Sequence, residues 1–124
     1  QNGLSIDVMV PVVQAGTPYY ALDSLGGWHY MLDFNNDGEL LTDTTVTIDF
    51  NLLAEHVYLL NKIGKKHKVK VAKTILKLEL KDELYKTVYG KKVKNAGIYF
   101  AMNLPPFINN NHDDHYHIDF ETVQ

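Results

Sequence analysis

The chain has 124 residues, with 12 lysine or arginine and 15 aspartate or glutamate side chains, a formal net charge of -3 and no cysteine. That length suits one domain able to bury a core without disulfides or structural metal, and a chain without thiols needs no oxidising compartment. The acidic balance argues against a nucleic-acid binder, and no apolar run approaches the length of a membrane span.

Leu4, Ile6, Val8 and Val10 alternate with Ser5, Asp7 and Met9, a pattern that predicts a half-buried strand. Asp7 is the odd member, because a carboxylate among apolar neighbours is costly unless something compensates it. It reads either as a strand aspartate facing solvent or, given the histidines near the other end of the chain, as an oxygen ligand for a cation. The chain begins inside this pattern without an initiator Met, which reads as a fragment or processed form whose targeting segment lies upstream of Gln1.

Gly16-Thr17-Pro18 is a turn signal, and Gly26-Gly27 leads into a predicted strand at residues 28–34. Trp28, Tyr30, Leu32 and Phe34 form its apolar face, which leaves His29 on the other as an exposed strand histidine. Residues 33–38, Asp-Phe-Asn-Asn-Asp-Gly, match the opening of a calcium-binding EF-hand loop, but Thr44 stands at the twelfth position, where a bidentate Glu is required. Asn36-Asp37-Gly38 is therefore read as a hairpin turn, with a strand following at about residues 44–48.

Asp49 is placed to cap a helix running to about Ile63, with Leu52, Leu53, His56, Val57, Leu60 and Ile63 on one stripe and Gly64 as its stop. Within that stripe His56 reads as a packed, hydrogen-bonded histidine. A basic run at residues 65–70 reads as a solvated face and passes into a strand that reaches about Ile75 or Leu76. A second helix is predicted at about residues 81–89, with Leu80, Leu84 and Val88 as its buried edge and Gly90 as its end. Residues 91–111 carry few helix or strand signals; such a loop is usually functional and is expected to wall a cleft, with Phe107 as a candidate substrate contact.

The most informative stretch is His112-Asp113-Asp114-His115-Tyr116-His117-Ile118-Asp119-Phe120, which holds three of the six histidines. If residues 116–120 form a strand, His115, His117 and Asp119 share one face while Tyr116, Ile118 and Phe120 share the other. Two imidazoles at i and i+2 set neutral nitrogen donors side by side, as a tetrahedral zinc site would use them, with His112 in the entering loop. The alternative is a polar His-Asp surface loop.

Residues 1–11, Gln-Asn-Gly-Leu-Ser-Ile-Asp-Val-Met-Val-Pro, together with His112-Asp113-Asp114-His115-Tyr116-His117, resemble the penicillin-insensitive murein endopeptidase family. That family belongs to the group of zinc peptidases that includes lysostaphin-type enzymes, D-Ala-D-Ala metallopeptidases and the hedgehog domain. The resemblance implies an α+β fold with a small central antiparallel sheet and about two helices, in a single zinc-peptidase-like domain over residues 1–124. It implies zinc held by Asp7 and His117, His115 beside the metal, His112 as a further active-site histidine, and a third ligand, a histidine, immediately before Gln1. Asp114 or Asp119 is expected to hydrogen-bond the far nitrogen of a histidine and fix its tautomer. The implied activity is hydrolysis of peptidoglycan peptide cross-links, in a periplasmic or secreted setting. Two alternatives are a non-catalytic binding module on the same fold and a D-Ala-D-Ala carboxypeptidase.

Overall fold

A computed structural model of the protein describes residues 4–22, 25 and 32–123. Its strands are β1 (Ser5–Met9), β2 (Val12–Gln14), β3 (Thr17–Pro18), β4 (Glu39–Leu40), β5 (Asp43–Ile48), β6 (Val69–Ile75) and β7 (His115–Thr122). Its helices are α1 (Phe50–Lys65), α2 (Lys81–Tyr85), α3 (Val88–Asn95) and α4 (Pro106–Asn110), with a 3-10 turn at Leu78–Leu80. The architecture is α+β, as expected, but the strands form two antiparallel sheets, ordered β1-β7-β6 and β3-β2-β5-β4, and four helices are present among the described residues. None of those helices is long and apolar enough to cross a membrane.

β7 is the middle strand of the first sheet and supplies two large buried side chains, Tyr116 and Ile118, both essentially inaccessible to water. Burying each contributes on the order of 2 kcal/mol, so the strand cannot shift register without losing both from the core. β1 departs from the half-buried strand that its alternation predicts. Leu4 and Ile6 are exposed, and burial begins only toward Val8 and Val10. β1 is an edge strand, and α1 packs against β6 at the other side of the sheet, so nothing described covers the start of β1.

The Asp49 cap is present, its carboxylate accepting from the Leu52 N–H, and Lys62 and Lys65 in the last turn complement the helix dipole. The buried stripe of α1 is rotated from the predicted one. Phe50, Leu53, Ala54, Val57 and Asn61 face inward, while Leu52 and Ile63 are exposed. Gly64 does not stop the helix, which continues to Lys65; a Cβ there would come within 2.8 Å of the Val69 carbonyl, so the glycine lets β6 pass close by.

Gly38 has φ +85 and closes the predicted hairpin turn, with Asn35 accepting from the Asp37 and Glu39 N–H groups. Thr44 falls inside β5, as expected for a hairpin and not for a calcium loop. Of the strand predicted at residues 28–34, residues 28–31 and hence His29 lie outside the described residues; Phe34 forms only an isolated bridge with Leu40.

Two expectations for the last third fail. The predicted helix over residues 81–89 is split into α2 and α3, because Thr87 caps a new helix by accepting from the Gly90 N–H and donating to the Leu84 carbonyl. Val88 is consequently exposed, and Gly90 lies within α3, not at an end. Nor are residues 91–111 structureless: α3 runs to Asn95, Phe100 bridges Thr74 in parallel, and α4 follows. A Cβ on Gly90 would collide with the Leu84 carbonyl. Gly90→Ala should therefore destabilise the protein by about 1–3 kcal/mol in urea denaturation, the range for overpacking, whereas an alanine accommodated without loss would show that α2 and α3 can separate there.

Candidate functional site

The register between β1 and β7 builds the site. Ser5 lies opposite Asp119, Asp7 opposite His117 and Met9 opposite His115, with no irregularity along the pairing. At the two ends, the Phe120 N–H bonds the Leu4 carbonyl and the Val10 N–H bonds the Asp114 carbonyl. By alternation, Leu4, Ile6, Val8 and Val10 are the residues whose backbone faces β7. Asp7 and His117 are thus a non-hydrogen-bonded pair, the kind that brings opposing side chains closest.

His117 is held at both ring nitrogens, with Nδ1 2.6 Å from Asp7 Oδ1 and Nε2 2.7 Å from Asp119 Oδ1. The Ser5 hydroxyl donates to the same Asp119 oxygen at 2.7 Å, and Lys73 Nζ stands 3.8 Å from the other one. Burial works to lower the His117 pKa, but the hydrogen bonds and charges of Asp7 and Asp119 outweigh it and hold it above the ordinary histidine value. A neutral imidazole has one N–H and cannot donate to two carboxylates. At these distances the clasp fits an imidazolium; were a cation bound instead, Nδ1 and the Asp7 carboxylate would be its donors and Asp119 would keep the Nε2 proton.

The second group is His115 with His112. His115 is buried and its Nδ1 lies 2.6 Å from Asp114 Oδ1, so Nδ1 donates to that carboxylate. The His112 ring packs against it with centroids 4.6 Å apart, and its Nδ1 donates to the Ile108 carbonyl at 2.6 Å. Burial lowers the His112 pKa, the Ile108 bond opposes this, and the neighbouring His115 and His117 add to the lowering. α4 thus positions His112 directly. Phe107, the expected substrate contact, projects from the same short helix and is 78% exposed.

The sequence-predicted residues Asp7, His112, Asp114, His115, His117 and Asp119 all lie on or beside β7, and both second carboxylates hold histidines. Asp7 is more exposed than its apolar neighbours in sequence suggest, because they are exposed too. His56 lies apart, on the other face, sharing a 2.6 Å hydrogen bond with the Tyr116 hydroxyl. Burial lowers the first group's pKa and raises the second's, so the bond joins two neutral groups. Three contributors went unpredicted. Ser5 was legible, being two residues from Asp7 on the same face; Lys73 needed the β6 register; and Asp113, which accepts from the Phe34 N–H at 3.0 Å and ties the hairpin to the motif, needed the fold.

The nitrogen and oxygen donors of His117 and Asp7 suit zinc in kind. Among the described residues, however, no group of three or more His, Cys, Asp or Glu side chains is placed to hold a metal ion, so these residues supply two donors toward the three of a usual catalytic site. No protein-family model, curated protein or solved structure matches the chain.

In protein stripped of metal, the raised His117 pKa sets the sign of a pH effect. A folded pKa above the unfolded value of about 6.5 gives stabilisation that is fully present below that pH and lost as the pH rises through the folded pKa. The stability gap between the parent and His117→Gln should therefore shrink from pH 6 to pH 9 in denaturant titrations with chelator present. A gap constant across that range would mean the two carboxylates do not clasp an imidazolium.

Proposed function

We propose that the chain is a zinc-dependent endopeptidase domain that hydrolyses peptide cross-links of peptidoglycan, in a periplasmic or secreted setting. The reading rests on the resemblance of residues 1–11 and 112–117 to the murein endopeptidase family. The single observation that carries it is the 2.6 Å approach of Asp7 to His117 from opposite ends of the chain, with Asp119 on the far ring nitrogen. On the same reading, the β1-β7-β6 sheet corresponds to the central sheet of the hedgehog and D-Ala-D-Ala-peptidase group.

Asp7 and His117 would hold the zinc, two of the three protein ligands of a usual catalytic site. Zinc bound there lowers the pKa of a coordinated water and polarises a carbonyl. The remaining steps belong to the chain. Asp119 holds the Nε2 proton of His117, which keeps Nδ1 directed at Asp7. His115, oriented by Asp114, is placed to take a proton at Nε2 and to return it to the leaving amine. His112, its pKa lowered by burial and its Nδ1–H given to the Ile108 carbonyl, presents its own Nε2 as a second proton acceptor.

Purified protein supplied with zinc should convert muropeptide dimers to monomers, followed by chromatography and mass spectrometry. Asp7→Asn and His117→Ala should each lower kcat/KM by on the order of a hundredfold or more. Cleavage unaffected by His117→Ala refutes the site; release of free D-Ala assigns a carboxypeptidase, and zinc binding without cleavage a binding module.

A further inference from the structure

We propose that the open edge of β1 receives the substrate peptide as an added β-strand, so that the peptide bond to be cut is held opposite Asp7. The inference rests on the endopeptidase reading above and specifies how that site takes its substrate.

The backbone geometry comes first. Leu4, Ile6, Val8 and Val10 spend their main-chain groups on β7, so the N–H and C=O groups of Ser5, Asp7 and Met9 point away from the sheet. β1 pairs with no other strand among the described residues, and Ser5, Ile6, Asp7 and Met9 are all exposed, so this row meets solvent. A strand added there would lie about 5 Å from β1, within hydrogen-bond reach of all three residues. The middle one, Asp7, is the residue whose side chain meets His117.

The contrast between the two edges of the sheet supports an occupant. β6, the opposite edge, is protected against stray pairing: it carries Lys70 and Lys73, a register irregularity between Val71 and Lys73, and a bridge from Thr74 to Phe100. β1 has no lysine, proline or bulge between Ser5 and Met9, and it exposes Leu4 and Ile6 beside the open backbone. Bare apolar edges invite unwanted pairing and are usually blunted. An edge left bare at the strand that carries Asp7 fits an extended peptide, recognised through its main chain.

Kinetics on muropeptide dimers with the zinc-supplied parent, Met9→Ala and Met9→Pro test this. Alanine removes the side chain alone; proline also removes an outward N–H that β7 does not use, so the ladder of the sheet survives. Met9→Pro should raise KM about tenfold over Met9→Ala, with kcat within about twofold. Equal KM values overturn the proposal. Because a proline variant can misfold, the parent is also titrated with muropeptide monomer while its backbone amides are followed by NMR. Larger shifts at Ser5, Asp7 and Met9 than at Ile6 and Val8 are expected. Shifts elsewhere, or shifts that track protein concentration and so assign the edge to a second copy, overturn it. Peptide-induced shifts along β1 with no hydrolysis refute the endopeptidase reading and leave strand addition standing; hydrolysis without those shifts does the reverse.

Discussion

The pairing of β1 with β7 is the constraint on which the site depends. It places Asp7 directly across from His117, and it does so in the non-hydrogen-bonded kind of pair, where facing side chains come closest. A slip of one residue would put Asp7 on the same face as Tyr116 and Ile118, away from His117. The buried Tyr116 and Ile118 therefore hold the chemistry in register from the other side of the strand. Hydrophobic burial and polar geometry are two faces of one strand here, and neither can change alone.

The clasp around His117 has an electrostatic tension built into it. One imidazole between two carboxylates is satisfied only by an added positive charge, whether a proton or a metal ion. Desolvation of the ring opposes the proton, and the two carboxylates favour it. The second histidine pair is arranged differently: His115 directs Nδ1 at Asp114 and His112 directs Nδ1 at the Ile108 carbonyl.

Much of the scaffold serves to place the loop that enters β7. Asp113 binds the Phe34 backbone, the Lys77 N–H binds the His112 carbonyl, and Asn109 of α4 binds both Leu78 and Glu79. These contacts join the hairpin, the segment after β6 and α4 around the histidine motif. They also give the residues before the motif a structural role that their weak local patterning conceals. α4 is five residues long, too short to be stable by propensity, and is held by such tertiary contacts.

Local sequence determined a good deal of this protein. The period-two alternation around His117 separated the site face from the core face, Asp49 announced the start of α1, and Gly38 marked the hairpin, because each is a short-range effect of side-chain direction, capping or φ. What local pattern misjudged was decided by packing: the rotation of α1 that exposes Leu52, the break at Thr87, and the exposure of Leu4 and Ile6 on an edge strand. The meeting of Asp7 with His117, 110 positions apart, was legible only as one of two readings of an odd strand carboxylate, and through a resemblance, since no local rule sets which strands become neighbours. That choice, and with it Ser5, Lys73 and Asp113 around the site, belongs to the tertiary structure, because register between distant strands is fixed by the whole core that must close over them.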